Sequence, residues 1–201
     1  MEDRATLGEA GCDLLFRQAR THSAWLDRPV ADATLEALWD LLKWGPTSAN
    51  SLPLRVLFLQ SREAKERLRP VLSPGNVDKT MAAPVTAVLA YDTRFYDLLE
   101  RTFPHDPTAR SWFAGPGKEE VALETAFRNS SLQGGYFILA ARAVGLDCGP
   151  MSGFDKAKLD AEFFPDGRFR SNFLCNLGYG DPTKLPPRNP RLTFAEACTI
   201  L

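Results

Sequence analysis

Between Lys43 and Pro53 the chain reads KWGPTSANSLP. Thr47, Ser48, Asn50 and Ser51 crowd neutral donors and acceptors between Pro46 and Pro53, and no charge follows Lys43 in the stretch. Hydroxyl and amide side chains at that density suit ordinary turn chemistry. They equally suit the edge of a polar, planar ligand, because neutral groups match alternating acceptors without burying net charge. Elsewhere the reactive residue types are scattered. Cys12, Cys148, Cys175 and Cys198 form no C-x-x-C pair, and His22 and His105 stand alone. Thiolate and imidazole metal sites need clustered ligands, so no metal is expected and the cysteines read as buried, reduced thiols.

Several catalytic architectures are missing. GPGKEE and GYGDPT lack the third glycine of a dinucleotide fingerprint, and GPMSGFDK lacks the ending of a phosphate loop. There is no G-x-S-x-G elbow, and two lone histidines speak against a hydrolytic triad. Tyr179 and Lys184 are the nearest tyrosine–lysine pair, with no helix to align them. No residue is assigned as catalytic. Many neutral donors and few titratable groups suit a chain that positions a cofactor and lets it carry the chemistry.

The elements that must hold these groups follow from periodicity. TLEALWDLLKW puts Leu35, Leu38, Trp39 and Leu42 on one helical face, with Asp32 as N-cap and Gly45-Pro46 as the stop. RVLFLQ reads as a buried strand, REAKERLRPVL as a charged helix ending near Pro70 with Lys65 on its charged face, and PVTAVLAYD as a second strand. Residues 92–118 read as irregular, in the manner of a binding loop or lid. A long helix runs from Glu119 to about Leu146. Gly134-Gly135 inside it costs about 1 kcal/mol per glycine against alanine, so close approach of another helix is expected there, one from a partner subunit included. DKAKLDAEFF is a short helix, SNFLCNLGYG a third strand, and a proline-rich tail follows. This order predicts a sheet covered by helices, in one domain spanning residues 1–201.

Composition sets the outer bounds. Hydrophobic residues at 44% and charged residues at 24% describe an ordinary globular chain, and a net charge of −1 offers no electrostatic reason to bind nucleic acid or an anionic membrane. No apolar run approaches the roughly 20 residues of a membrane span. The opening MEDRATLGEAGCD is acidic and has no apolar core, so no leader is expected and the expected compartment is the cytoplasm.

Six blocks carry a resemblance when taken in order: ARTHSAW, KWGPTSANSLP, ETAFRNSS, GLDCGPMSGFD, NLGYGDPTKL and RNPRLTFAEA. Together they resemble the nitroreductase family of FMN-dependent oxidoreductases, and within it the subgroup of malonic semialdehyde reductase, also called 3-hydroxypropanoate dehydrogenase. The resemblance runs from about Leu14 to the C-terminus. It implies an α+β three-layer sandwich with a central, mostly antiparallel sheet covered by helices, and a homodimer with exchanged termini and FMN at its interface. It also implies that the GPTSAN loop is supplied to the flavin by the neighbouring chain.

By that resemblance, Arg20 and Thr21 hold the FMN phosphate, joined by Lys184 and Arg188. A guanidinium suits that task because its fork bonds two oxygens at once. Thr47, Ser48 and Asn50 match the flavin-edge loop. Pro150, Met151, Ser152 and Gly153 match the segment that approaches the N5 side, and Asn76 and Lys79 a loop near the pyrimidine end. Asn129 is left as a structural helix residue. Three positions depart from the family pattern. Ala19 precedes Arg20 where relatives often carry a second basic residue. Asn50-Ser51-Leu52-Pro53-Leu54 stands where N-x-Q-P-W is common, and Ser152 replaces a frequent glutamate. The last two suit a small aldehyde better than a broad range of nitroaromatics.

The function implied is FMN-dependent reduction of malonic semialdehyde to 3-hydroxypropanoate in pyrimidine degradation, with NADPH or NADH as donor and ping-pong hydride transfer through flavin N5. The alternatives are a broad-range nitro or quinone reductase and a flavin-binding protein without turnover. Trp112 and Phe113 are candidates to close over the ring. Arg128, with Arg110 and Lys118, is a candidate for the substrate carboxylate, although Arg128 also suits a helix-surface ion pair.

Overall fold

A four-stranded antiparallel sheet organises the chain in a computed structural model that describes residues 4–201. Its strands are β1 (Leu54–Leu59), β2 (Val85–Asp92), β3 (Asp147–Met151) and β4 (Phe169–Gly178), in the order β1-β2-β4-β3. The helices are α1 (Glu9–Cys12), α2 (Asp32–Leu42), α3 (Arg62–Leu68), α4 (Pro74–Ala82), α5 (Leu99–Thr102), α6 (Glu119–Ala143), α7 (Lys156–Phe163) and α8 (Phe194–Ala197).

Strand periodicity sorts the apolar residues onto two buried faces. Val85, Ala87 and Leu89 of β2 turn with Leu54, Cys175 and Leu177 toward Leu35, Leu38 and Leu42 of α2 and Phe137 and Ala141 of α6. Val88, Leu59 and Leu174 turn the other way, onto Leu68, Val71, Leu72 and Leu159, with Val77 of α4 packed alongside. The outcome is the expected α+β three-layer sandwich, with every strand pair antiparallel. A third core of Phe95, Leu99, Ala109, Phe113, Ala122 and Ala126 sits beneath residues 95–113. No helix among the described residues is long and apolar enough to cross a membrane.

Several expectations are revised. Asp32 is the first residue of α2, and Ala31 precedes it with no side-chain cap. Residues 74–82, read as loop, form α4. Pro74 is pre-set for a first helical turn, and Asn76 and Lys79 therefore ride on a helix. DCGPM, given no element from the sequence, is edge strand β3, where Pro150 is tolerated on the outermost strand of the sheet. SNFLCNLGYG is consequently the fourth strand. Within residues 92–118, α5 and two single-turn helices, Phe95–Leu98 and Ala109–Trp112, break up the irregular stretch. Gly134 admits the sheet instead of another helix, for a Cβ there would lie 2.6 Å from the Phe173 ring, while Gly135 faces open space. Lys65 is buried at 4% exposure, and its Nζ donates to the carbonyls of Met81 and Ala83 at the end of α4. Cys148 and Cys175 are buried and unbridged as expected, whereas Cys198 is exposed.

Candidate active site

The donor-rich loop is wound against local backbone preference. Ala49, Asn50 and Leu52 have φ of 50°, 45° and 43°, in the left-handed region, and none is glycine. Each such residue costs about 1 kcal/mol or more and persists only where surroundings enforce it. The enforcement is visible. Ser48 N donates to Asn129 Oδ1 at 2.8 Å, Leu54 N to Gln133 Oε1 at 3.0 Å, and Asn50 Nδ2 to Thr102 O at 2.6 Å. Leu52 N closes on Thr47 Oγ1 at 3.1 Å. Asn129 and Gln133 lie four residues apart on one buried face of α6, so one helix holds both ends of the loop. Ser51 Oγ is buried and has no hydrogen-bond partner among the described residues, an arrangement that leaves an acceptor and donor in want of one.

The N- and C-terminal arms meet along the other side of the sheet. Thr21 bridges Cys148, and His22 N donates to Cys148 O at 2.9 Å, so residues 20–22 run beside β3. Arg188 Nη2 donates to the carbonyls of Arg17 and Ala19, both at 2.8 Å, and Arg20 reaches back to Pro186 O. The fold thus brings Arg20, Thr21 and Arg188 together and leaves Lys184 exposed close by on a single helical turn, Pro182–Lys184. Beneath them the buried His22 keeps its Nε2 3.4 Å from Asp147 Oδ1 and its Nδ1 without a partner among the described residues. Its ring occupies the space that a Cβ on Gly180 would need.

Gly153 is set between α4 and the end of β3. Asn76 Nδ2 donates to Gly153 O at 2.7 Å, and a Cβ on Gly153 would lie 2.5 Å from that same nitrogen. Met151 Sδ accepts from Thr80 Oγ1 at 3.5 Å, Ser152 is exposed, and Lys79 O accepts from Trp25 Nε1 at 3.1 Å. Asn76, Lys79, Met151, Ser152 and Gly153 therefore form one neighbourhood, adjoining the arm of Arg20 and Thr21 through β3.

The proposed ring-closing and substrate residues divide. Phe113 is buried in the third core with its ring 5.0 Å from that of Phe95, so it is committed to packing, while Trp112 remains substantially exposed. Arg128 lies exposed on α6 in an ion pair with Glu124 four residues before it, and Arg110 pairs with Asp97 at 3.1 Å. Lys118 stands exposed at the start of α6.

The sequence profile described as "Nitroreductase family" matches residues 16–179. The chain belongs to the nitroreductase family. A Rhodopseudomonas palustris protein provisionally named NADH dehydrogenase/NAD(P)H nitroreductase is 61% identical over 198 residues, covering 98% of this chain and 99% of the relative. Two solved structures share the nitroreductase fold. A provisionally named Bacillus subtilis nitroreductase has a TM-score of 0.87 at 20% identity, covering 96% of this chain and 100% of its own. One from Exiguobacterium sibiricum, described in complex with FMN, has a TM-score of 0.83 at 18% identity, covering 98% and 99%.

In this nitroreductase-family chain the two groups of candidate residues lie at opposite edges of the sheet. The donor loop leads into β1 and Gly153 follows β3, the first and last strands of the order, at the same end of the sheet. Three inter-strand spacings separate them by roughly 14 Å. A cavity of about 1030 Å³ opens between α2 and the unpaired edge of β1, lined in part by Trp39, Leu52, Arg55, Phe58, Thr102 and Gln133. Asn129, which the sequence offers as a structural helix residue, holds the loop together with Gln133 and Arg55, neither of which was legible in that role. The only signal was a pair of amides at helical spacing.

Proposed function

We propose that this oxidoreductase binds FMN between two copies of the chain and reduces malonic semialdehyde to 3-hydroxypropanoate with NADPH or NADH as donor. The observation that carries the reading is the split of one complementary donor set between opposite edges of the sheet. A second copy, related by a two-fold axis, would bring the donor loop of one chain to the Gly153 side of the other. The residues fit such a ligand. Arg20 and Arg188, with Thr21 and Lys184, offer charge-assisted donors for a phosphate. Thr47, Ser48 and Asn50 offer neutral groups for a ring edge, and Gly153, held by Asn76, offers backbone.

When bound, FMN supplies hydride transfer at N5. The chain's own contribution is orientation and the exclusion of water. Asn76 fixes the Gly153 carbonyl, Asn129 and Gln133 fix the donor loop, and the exposed Trp112 is the aromatic offered to cover a bound substrate. Arg110, Lys118 and Arg128 are the cations offered to the substrate carboxylate. The first and last would have to leave exposed ion pairs, which are weak enough to exchange. The same reading assigns the cavity along β1 to the partner's tail, whose Leu192, Phe194, Ile200 and Leu201 are all exposed in the single chain. A homodimer with exchanged termini covers both surfaces at once.

Light scattering of the FMN-loaded protein should give a dimer, and a monomer that retains FMN refutes the shared site. Initial rates with malonic semialdehyde at several NADPH concentrations should give parallel double-reciprocal lines. The second reading, a broad-range nitro or quinone reductase, is favoured by the provisional name of the Rhodopseudomonas palustris relative. It prevails if nitro compounds or quinones turn over while the aldehyde does not.

A further inference from the structure

The donor loop is strained, and one of its fastenings is not a simple hydrogen bond to α6. Arg55, the second residue of β1, turns its guanidinium back on the loop. Its Nη1 donates to Leu52 O at 3.0 Å and to Leu54 O at 2.8 Å. Its Nη2 donates to Asp92 Oδ2 at 3.0 Å. Asp92 closes β2 and is 0% exposed. Arg168 completes the arrangement from the start of β4, with Nε 3.1 Å from Asp92 Oδ1 and Nη2 3.0 Å from Oδ2, and Arg94 N adds a bond to Oδ1 at 2.9 Å. A buried carboxylate is thus held by two arginines on neighbouring segments, and one of the two passes the constraint on to the carbonyl of a residue with positive φ.

We infer that Arg168, Asp92 and Arg55 act as a clamp that positions the Ala49–Leu52 loop for the cofactor without touching it. The clamp is a set of positioning residues and rests on the reading of this loop as the ring-edge contact. The geometry explains why arginine is needed at residue 55. One planar fork must satisfy two carbonyls and a carboxylate at fixed angles, and a lysine ammonium, though charged, cannot span all three from one stem. It also explains a fully buried carboxylate on a sheet with ample apolar alternatives. A buried charge tolerates removal of a partner poorly, which makes the arrangement unforgiving of displacement.

The test compares full-length Arg55→Lys and Asp92→Asn with Leu59→Ala, a cavity variant at the far end of the same strand. Three quantities are read: hydrogen exchange at the amides of residues 48–52, the FMN dissociation constant of apo-protein, and the visible absorption of the bound flavin. Arg55→Lys and Asp92→Asn should speed exchange in the loop and weaken FMN about tenfold, because binding must then reorder a loosened loop, with a changed absorption band. Leu59→Ala should lower the melting temperature while leaving all three near wild type. Unchanged loop exchange in both clamp variants overturns the clamp. Faster exchange with wild-type FMN affinity and absorption overturns instead the placement of the loop at the flavin, and the positioning role falls with it.

Discussion

Lys65 offers a sharp quantitative test because its charge is buried with only carbonyls for company. Desolvation lowers its pKa from 10.5 to about 8. The folded state therefore releases the proton more readily than the unfolded chain does. Between about pH 8 and 10.5 the unfolded state binds more protons, so this group makes stability rise as pH rises through that window. Below it the penalty is constant, at about 3 kcal/mol from 1.36 kcal/mol per pKa unit. Raising the pH from about 7 to about 9.5 should relieve about 2 kcal/mol of it. Other groups run the opposite way, since burial holds the Cys175 thiol and the Tyr91 phenol above their ordinary ranges. Wild type alone is therefore uninformative. The decisive quantity is the difference between wild type and Lys65→Met, which keeps the buried stem and removes the charge. Urea denaturation at both pH values should show wild type gaining about 2 kcal/mol relative to Lys65→Met at the higher pH. Equal pH dependence in the two proteins would refute the burial argument. The consequence reaches the site, because Lys65 ties down the end of α4 and α4 carries Asn76 against Gly153.

Three further outcomes are expected. Arg20→Ala and Arg188→Ala should each weaken FMN binding by one to two decades, from about 1.5–3 kcal/mol for a charge-assisted contact, while exposed Arg62→Ala should not; fluorescence titration of apo-protein checks it. Gly153→Ala should cost FMN affinity by pushing Asn76 off the Gly153 carbonyl, because the new Cβ would lie 2.5 Å from Asn76 Nδ2, and Asn76→Ala should show a comparable loss to which Gly153→Ala adds little in the same titration. Asn129→Leu should destabilise by about 1–3 kcal/mol by orphaning Ser48 N–H and weaken FMN, whereas Asn129→Asp, which keeps an acceptor for that amide, should lose less of both in parallel melts and titrations.

The layers of the fold were legible because burial repeats along the chain. Leu35, Leu38 and Leu42 recur at helical spacing, and β1, β2 and β4 carry the apolar stretches VLFL, AVLA and FLC. What failed to show was decided across the chain. The edge strand DCGPM carries the two residues that ordinarily punctuate loops, and only its place outside β4 makes Pro150 harmless. α4 opens PGN, a turn signature in isolation, and is held by Lys65 of α3, nine residues before its first residue. Lys65 itself sits in REAKERL, where every neighbouring charge suggests solvent, and its burial depends on carbonyls at Met81 and Ala83.

Among the candidate site residues, types were readable and their holders were not. Arg20 and Arg188 lie far apart in sequence, and the fold brings their arms together, each guanidinium bonded to the opposite arm's backbone. Trp112 and Phe113 are adjacent and aromatic, yet one is exposed and the other is core, a distinction set by Phe95. The loop residues pose the deeper problem. TSANSL contains no glycine, so nothing local announces three left-handed residues among six. Local preference opposes that backbone, and it survives because Asn129, Gln133, the Thr102 carbonyl and Arg55 all bear on it from other elements. A chain that spends four separate fastenings to hold a strained, hydroxyl-rich loop at a sheet edge is conceding stability where packing alone would ask for none. Under the proposed function, that concession serves the ligand the loop would meet. The sequence displayed the donors, but only the fastenings reveal that they are being held in place.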